Sequence, residues 1–295
     1  MSFSLRNEAE TALSSRAGGS EMPRIIYGTA WKKEATEELV ARAIGEGFRG
    51  IDTACQPRHY NEAGVGRGIA RSLAGNGSGG GGLARADLFV QSKYSPLNAQ
   101  DPERLPYDAA APVAEQVAQS FAKSLENLGT DYLDSLVLHA PLASFAETLA
   151  AWRALETIAA TGGVRRLGVS NFYSLAMLEA LYETAEVKPS AVQNRFYRDT
   201  GYDVDIRRFC RERDIAYQSF WTLTANGHLL GHELVLAIAS RHARTPEQVL
   251  YRYLAHESVV PLTGTTSVAH MREDLAIFEF ELDDTEIAAV SRLLS

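Results

Sequence analysis

From about residue 24 onward, short apolar and β-branched runs alternate with longer stretches whose apolar positions recur every three or four residues. The short runs predict eight strands, at 25–28 (IIYG), 49–53 (RGIDT), 88–93 (LFVQSK), 135–139 (SLVLH), 166–170 (RLGVS), 191–195 (AVQNR), 216–220 (AYQSF) and 259–263 (VVPLT). Helical periodicity runs through ATEELVARAIGEG, NEAGVGRGIARSL, PVAEQVAQSFAKSLENLG, FAETLAAWRALETIAATG, LAMLEALYETA, VDIRRFCRERD and TPEQVLYRYLAHE, and again after the eighth strand from HMREDLAIF to DDTEIAAVSRLL. Gly45, Gly47, Gly129, Gly162 and Gly163 punctuate helix ends, and Pro246 stands where a helix begins. Strict strand-then-helix order predicts the α/β class. Eight such units predict a closed parallel (β/α)8 barrel in one domain, 24–295. Residues 1–23 fit no unit and are expected to form an N-terminal extension or cap.

Two insertions break this rhythm. The glycine-rich AGNGSGGGG (74–82) predicts a flexible surface loop, and the segment at 94–112 follows the third strand, so it should wall or cover the carboxyl face of the barrel.

That face gathers the candidate chemistry. Asp52, Lys93 and His139 each end a predicted strand, and Tyr60 follows in the loop QPRHYNE. Taken singly, each has a structural explanation: a turn cap, a packed ring, a rim cation, a buried hydrogen bond. Jointly, a carboxylate, a phenol, an ammonium and an imidazole at the mouth of a barrel form a proton-transfer set.

Composition narrows the partners. The 295 residues are 45% hydrophobic and 22% charged with a net charge of −8, which suits a globular protein and argues against nucleic acid as the main partner. No apolar run is long enough to span a bilayer, and the first residues lack a signal-peptide core, so no membrane role and a cytoplasmic setting are expected. The two cysteines, Cys55 and Cys210, form neither a disulfide framework nor a metal spacing, and no metal is expected.

Several tempting motifs fail on context. Gly75, Gly77 and Gly80 match a dinucleotide fingerprint but follow a helix and precede a strand, the wrong order for holding a pyrophosphate. Asn76-Gly77-Ser78 is a chance sequon in the absence of a secretory signal. His232-Glu233 and His256-Glu257 lack the second histidine of a zinc-protease motif and are expected on helix surfaces. Cys55 is expected to be a small buried residue outside the chemistry.

GFRGIDTA followed by HYNEAGVG, LFVQSKY, SLENLGTDYLDSLVLHAP, VRRLGVSNF, VQNRFY, RTPEQVLYRYL and GTTSVAHMREDLAIFEFEL together closely resemble the aldo-keto reductase family, in a branch found mostly in fungi. The resemblance implies NAD(P)H-dependent reduction of an aldehyde or ketone. Tyr60 would be the general acid, Lys93 the cation that lowers its pKa from the usual ~10, Asp52 the partner that holds Lys93, and His139 the donor that polarises the carbonyl. Gly28, Thr29, Asp52, Ser170, Asn171 and Gln193 would contact the cofactor around its nicotinamide, and Phe220 would stack on that ring. Trp221, Thr222 and Leu223 would cover the pyrophosphate, with Gly264, Thr265, Thr266, His270, Glu273 and Asp274 at the adenosine end. Trp31, Tyr94, Ala140, Phe196 and Trp221 would line the substrate cleft.

Departures from the family pattern are equally specific. The loop between Asp52 and Tyr60 is three residues longer than the common form. Gly264 and His270 stand where a lysine and an arginine usually contact the 2′-phosphate, with Arg272 or another arginine as a substitute. Family habit favours NADP(H) over NAD(H). The expected partner is a small-molecule carbonyl compound, and the expected assembly a monomer or weak homo-oligomer. The alternative is a cofactor-binding sensor on the same barrel with little turnover.

Overall fold

The computed structural model describes residues 21–75 and 82–294; Gly77, Gly80, the sequon and most of the N-terminal cap lie outside the described residues. All eight predicted strands form: β1 (Ile26–Gly28), β2 (Gly50–Asp52), β3 (Phe89–Tyr94), β4 (Ser135–Leu138), β5 (Leu167–Ser170), β6 (Ala191–Arg195), β7 (Ala216–Phe220) and β8 (Val259–Thr263). Each pairs in parallel with its neighbour, and β1 closes on β8 through Ile26 opposite Leu262 and Tyr27 opposite Thr263. This is a single (β/α)8 barrel.

The helices α1 (Thr36–Glu46), α2 (Glu62–Ala74), α3 (Val113–Leu128), α4 (Phe145–Ala160), α5 (Leu175–Thr184) and α6 (Val204–Glu212) ring the barrel. Their apolar stripes meet the outward-facing strand residues in one continuous core that includes Val40, Ile51, Val90, Trp152, Leu155 and Val192. Beyond β7 the chain departs from the expected single helix. It forms α7 (Thr222–Ala225), α8 (Gly227–Leu230), α9 (Glu233–His242) and then α10 (Pro246–His256), before α11 (Val268–Leu275) and α12 (Asp284–Ser291) follow β8. Among the described residues seven of the helices carry polar side-chain caps: the reciprocal pairs Ser144–Glu147, Thr245–Gln248 and Asp283–Glu286, and the one-way caps Asn61, Ser174, His232 and Ser267.

Inside the barrel a small apolar plug of Ile26, Phe89, Val260 and Leu262, backed by Met22 and Phe220, is separate from the main core. Between plug and mouth the interior is polar, as described below. Outside, α2 is pinched between its neighbours: a Cβ on Gly66 would fall 2.2 Å from the Asn127 carbonyl oxygen, and one on Gly68 would fall 2.7 Å from that of Glu37. Both obstacles are backbone, so α2 must shift away from α3 if Gly66 gains a methyl. Gly66→Ala is therefore expected to lower stability by about 1–3 kcal/mol, read as a reduced urea midpoint at unchanged slope.

Candidate active site

The four titratable residues converge at the carboxyl end of the barrel. Asp52 ends β2 and Lys93 is the fifth residue of β3, so their side chains enter the interior from adjacent strands. Lys93 Nζ lies 2.7 and 2.6 Å from the two Asp52 oxygens and donates to the Thr53 carbonyl at 2.8 Å. The ammonium is fully sequestered, and burial pulls its pKa down while Asp52 opposes that fall.

Asp52 is held by more than its lysine. Its Oδ1 also accepts from Gln91 Nε2 at 2.7 Å and Gln193 Nε2 at 3.0 Å, and both amides donate to Gln218 Oε1 at 2.8 Å. These three glutamines occupy interior positions of β3, β6 and β7, where a barrel core is ordinarily apolar. The amide network fixes the carboxylate from below. A signal for it was present in the sequence, because Gln91 lies two residues before Lys93 and Gln218 two residues before Phe220, on the same face of each strand.

Tyr60 arrives by the long loop, which is tightly cinched. His59 N and Tyr60 N both donate to the Gln56 carbonyl, Trp31 N donates to that of His59 at 2.7 Å, and Gln56 Nε2 reaches Ala99 O at 2.8 Å. The segment after β3 answers with Gln100 Nε2 on Cys55 O, and Tyr107 packs beneath with its hydroxyl on Ser95 O. That segment is a fixed wall against the tyrosine loop. On the far side, the buried Glu62 carboxyl takes hydrogen bonds from Ser92, Ser124 and Asn127 and anchors the start of α2, two residues past Tyr60.

The phenol ring stands over Lys93, with Nζ 5.3 Å from its centroid, and edge-on to the His139 ring at 6.0 Å. Its hydroxyl makes no hydrogen bond to any described residue. The expectation that Lys93 lowers the Tyr60 pKa is corrected here. Burial, reinforced by the Asp52 charge, pushes the phenol well above its ordinary value. The ammonium spends its donors on Asp52 and Thr53 and lies over the ring face.

His139 follows β4 directly. Its Nδ1 lies 2.6 Å from Ser95 Oγ, its carbonyl accepts from Asn171 Nδ2 at 2.8 Å, and its N–H donates to Tyr94 O. Burial, then the Lys93 and His59 charges, hold its pKa well below the usual histidine range, so the ring is neutral near pH 7.

The remaining expected residues divide. Thr29 bonds the Asp52 carbonyl through both its N–H and its hydroxyl. Ser170 Oγ donates to Gln193 O at 2.7 Å, and Asn171 adopts a left-handed backbone (φ 58°) beside it. Gly28 ends β1, and Phe220 ends β7 opposite Arg195. Thr222 is buried with its hydroxyl on Ser219, Leu223 is half-buried, and Trp221 is 49% exposed. Gly264, Thr266 and His270 are exposed, with Thr265 and Glu273 half-buried. Asp274 turns inward to Thr263 Oγ1 at 2.6 Å, and burial raises its pKa to about 6.

Three expectations need correction. Tyr94 and Phe196 are fully buried, packed on Tyr107 and Tyr202 respectively, and line no open cleft. Arg272 is committed to Glu46 at 2.6 and 3.0 Å and is no substitute cation at Gly264. The ammonium at that position belongs to Lys32, which donates to the Gly264 carbonyl from the loop after β1. Trp31, 66% exposed, stacks on His59 at 4.0 Å and forms the rim of a cleft of about 590 Å³ with Arg58, Tyr60 and Leu105. Ala140 is half-buried beside His139. Among the described residues no cluster of three or more His, Cys, Asp or Glu could hold a metal, and no helix is long and apolar enough to cross a membrane.

A parallel eight-stranded barrel with a buried carboxylate–ammonium pair, a phenol and a neutral imidazole at its carboxyl mouth defines a barrel oxidoreductase. Residues 24–295 match the model of the aldo/keto reductase family, and the chain belongs to that family. Among its relatives, the glyoxal reductase of Bacillus subtilis is 33% identical over 279 residues, 93% of this chain and 90% of that protein. The uncharacterized oxidoreductase YtbE of the same organism is 32% identical over 277 residues, with the same 93% and 90% coverage. The crystal structure of an aldo/keto reductase from Brucella melitensis superposes with a TM-score of 0.76 at 29% identity, covering 93% of this chain and 96% of that one.

Proposed function

We propose that this protein reduces an aldehyde or ketone to the alcohol with a nicotinamide cofactor, Tyr60 serving as general acid. The observation that carries this reading is the convergence of a phenol, its hydroxyl bonded to no described residue, and a neutral imidazole above the Asp52–Lys93 pair. Tyr60 Oη gives its proton to the carbonyl oxygen as negative charge develops there, above the Asp52–Lys93 pair that lies beneath its ring. In the tautomer in which Nδ1 accepts from Ser95 Oγ, His139 carries its proton on Nε2 and offers it to the cleft as a second donor. Asp52 and the three glutamines keep Lys93 in place while the charge moves.

The reduced nicotinamide supplies the hydride when bound. Gln193 fits that group, since its Oε1 accepts no hydrogen bond from the described residues and it lies beside Ser170 and Asn171 at the mouth. Those three residues would hold the carboxamide, and Phe220 would stack on the ring. Lys32, with its ammonium at Gly264, would supply the cation for the adenosine end and favours NADP(H) over NAD(H). Thr265, Thr266, His270 and Glu273 would complete that end. We place the enzyme in the cytoplasm, acting as a monomer or weak homo-oligomer on a small carbonyl compound. Ser95 and Ala140, small residues flanking His139, leave room for a broad substrate.

Titration of the protein with NADPH and NADH separately, followed by tryptophan fluorescence, tests this reading. Tighter binding of NADPH and its carbonyl-dependent oxidation are expected; negligible binding of both cofactors overturns it.

A further inference from the structure

Arg195 ends β6 two residues beyond Gln193, so its side chain leaves the strand on the same, inward face, one pleat nearer the mouth. Asn194, between them, points the other way and bonds Phe172 O and Asp203 Oδ2. The Arg195 guanidinium stacks on the Trp221 ring at 4.2 Å and stands 5.4 Å from the Tyr197 ring centroid. Its backbone N–H donates to Tyr173 Oη, whose own hydroxyl donates to Asn171 Oδ1. The arginine is thereby tied to the Ser170–Asn171 turn on one side and to the loop after β7 on the other.

What this guanidinium lacks is an acceptor. Among the described residues it has no carboxylate partner and no hydrogen bond from any of its nitrogens. Its Nε is sealed from solvent with its N–H unmatched, whereas the terminal nitrogens are not sealed. Two aromatic rings flank the fork without satisfying its five N–H donors. Nearby arginines show the contrast: Arg207 bonds Tyr202 O through Nε, and Arg208 pairs with Asp205 at 2.6 Å. A planar fork flanked by two rings at the mouth of an active site, with its terminal nitrogens unpaired and open, matches a ligand oxyanion that accepts two N–H bonds at once.

We propose that Arg195, clamped by Trp221 and Tyr197, is the oxyanion-binding residue of this barrel mouth. The ligand chemistry is a phosphate or carboxylate group. Two sources can present it, the pyrophosphate of a dinucleotide or an acidic substituent on the carbonyl substrate, and only this choice of source rests on the reductase reading. The same position explains the 49% exposure of Trp221: its outer face stays open while its inner face holds the cation.

The test uses wild type, Arg195→Met and Arg195→Lys, each shown by its melting curve to be folded. Inorganic pyrophosphate is titrated first, with tryptophan fluorescence as the readout, so the result does not depend on turnover. Saturable quenching in wild type, weakened ten- to hundredfold in Arg195→Met and only partly restored in Arg195→Lys, supports the proposal. NADPH, NADH and a pair of carbonyl substrates with and without a carboxylate then separate the sources. An equal rise in Kd for both cofactors assigns the anion to the dinucleotide pyrophosphate. A rise in KM confined to the carboxylated substrate, with cofactor Kd unchanged, assigns it to the substrate. Wild-type behaviour of Arg195→Met in the pyrophosphate titration, or in both source arms, overturns the proposal. If wild type reduces no carbonyl, the reductase reading fails, and the pyrophosphate titration still decides the role of Arg195.

Discussion

Tyr60→Phe is expected to lower kcat for carbonyl reduction by about 10²- to 10⁴-fold while leaving the Kd for NADPH within about twofold. The substitution removes one oxygen whose hydroxyl bonds to no described residue, so the loop that carries it keeps its fastenings at Gln56, Trp31 and Ala99. The loss should fall on kcat because the proton is needed only as charge builds on the carbonyl oxygen. The pH dependence follows from the direction of each shift. Tyr60 is raised, so its acid form persists through neutral and moderately alkaline pH; His139 is lowered, so its neutral form is present from below pH 7 upward. Reduction should therefore be nearly flat from pH 7 to about 9, as far as these two groups set it. Oxidation of the alcohol requires the phenolate, and its rate should rise about tenfold per pH unit over that range. A Tyr60→Phe protein that retains wild-type kcat on its best carbonyl sinks the general-acid assignment. A reduction rate that falls steeply above pH 7 would instead show a phenol with a strongly lowered pKa.

The sequence made the barrel legible because all eight strands are short apolar runs and the helices between them keep a steady period. Asp52, Lys93 and His139 were legible for the same reason, since each is a polar residue at the end of such a run. Tyr60 was harder. Its position depends on hydrogen bonds from Gln56, Gln100 and Trp31 that join three separate loops, and no local pattern encodes those contacts. The direction of its pKa shift is not legible in the sequence, because proximity to a cation is visible in a motif, whereas desolvation is a property of the whole surround. Tyr94 and Phe196 show the converse limit. An aromatic residue beside a site can line it or buttress it, and only the packing of Tyr107 and Tyr202 decides. The helix α9 carries a weak sequence signal because LVLAIAS is apolar through most of its length, which blurs the amphipathic period. Arg195 and the glutamine network were within reach of strand alternation alone, which places them on the same face as Gln193 and Lys93.

Asp134→Ala is expected to be the most destabilising single change at the opposite end of the barrel. Asp134 precedes β4 and is fully buried, and the donors on its two oxygens include Arg85 Nη1 at 2.9 Å, Val90 N at 3.0 Å and Arg165 Nη1 at 2.9 Å. Both guanidinium groups also stack on Tyr132, at 4.2 and 4.1 Å, so one carboxylate organises two cations, one ring and the start of β3. Removing it leaves the Val90 N–H without its acceptor and two like charges side by side over one ring. Breaking a buried charge pair from one side costs about 3–5 kcal/mol. Arg85 and Arg165 retain 18% and 30% side-chain exposure and can turn partly to water, which puts the expected loss near the lower end of that range. At roughly 2–4 °C per kcal/mol for a chain of this size, the melting temperature should fall on the order of 10 °C. Because the residue lies at the amino end of β4 and His139 at the carboxyl end, kcat measured well below the transition should be unchanged. The double variant Arg85→Ala/Asp134→Ala should be less destabilised than the sum of the two singles, since the second change removes a cation that the first has stranded. Full additivity, or a loss under about 1 kcal/mol for Asp134→Ala alone, would show that solvent replaces the carboxylate and that the cluster is a surface ornament of the barrel floor.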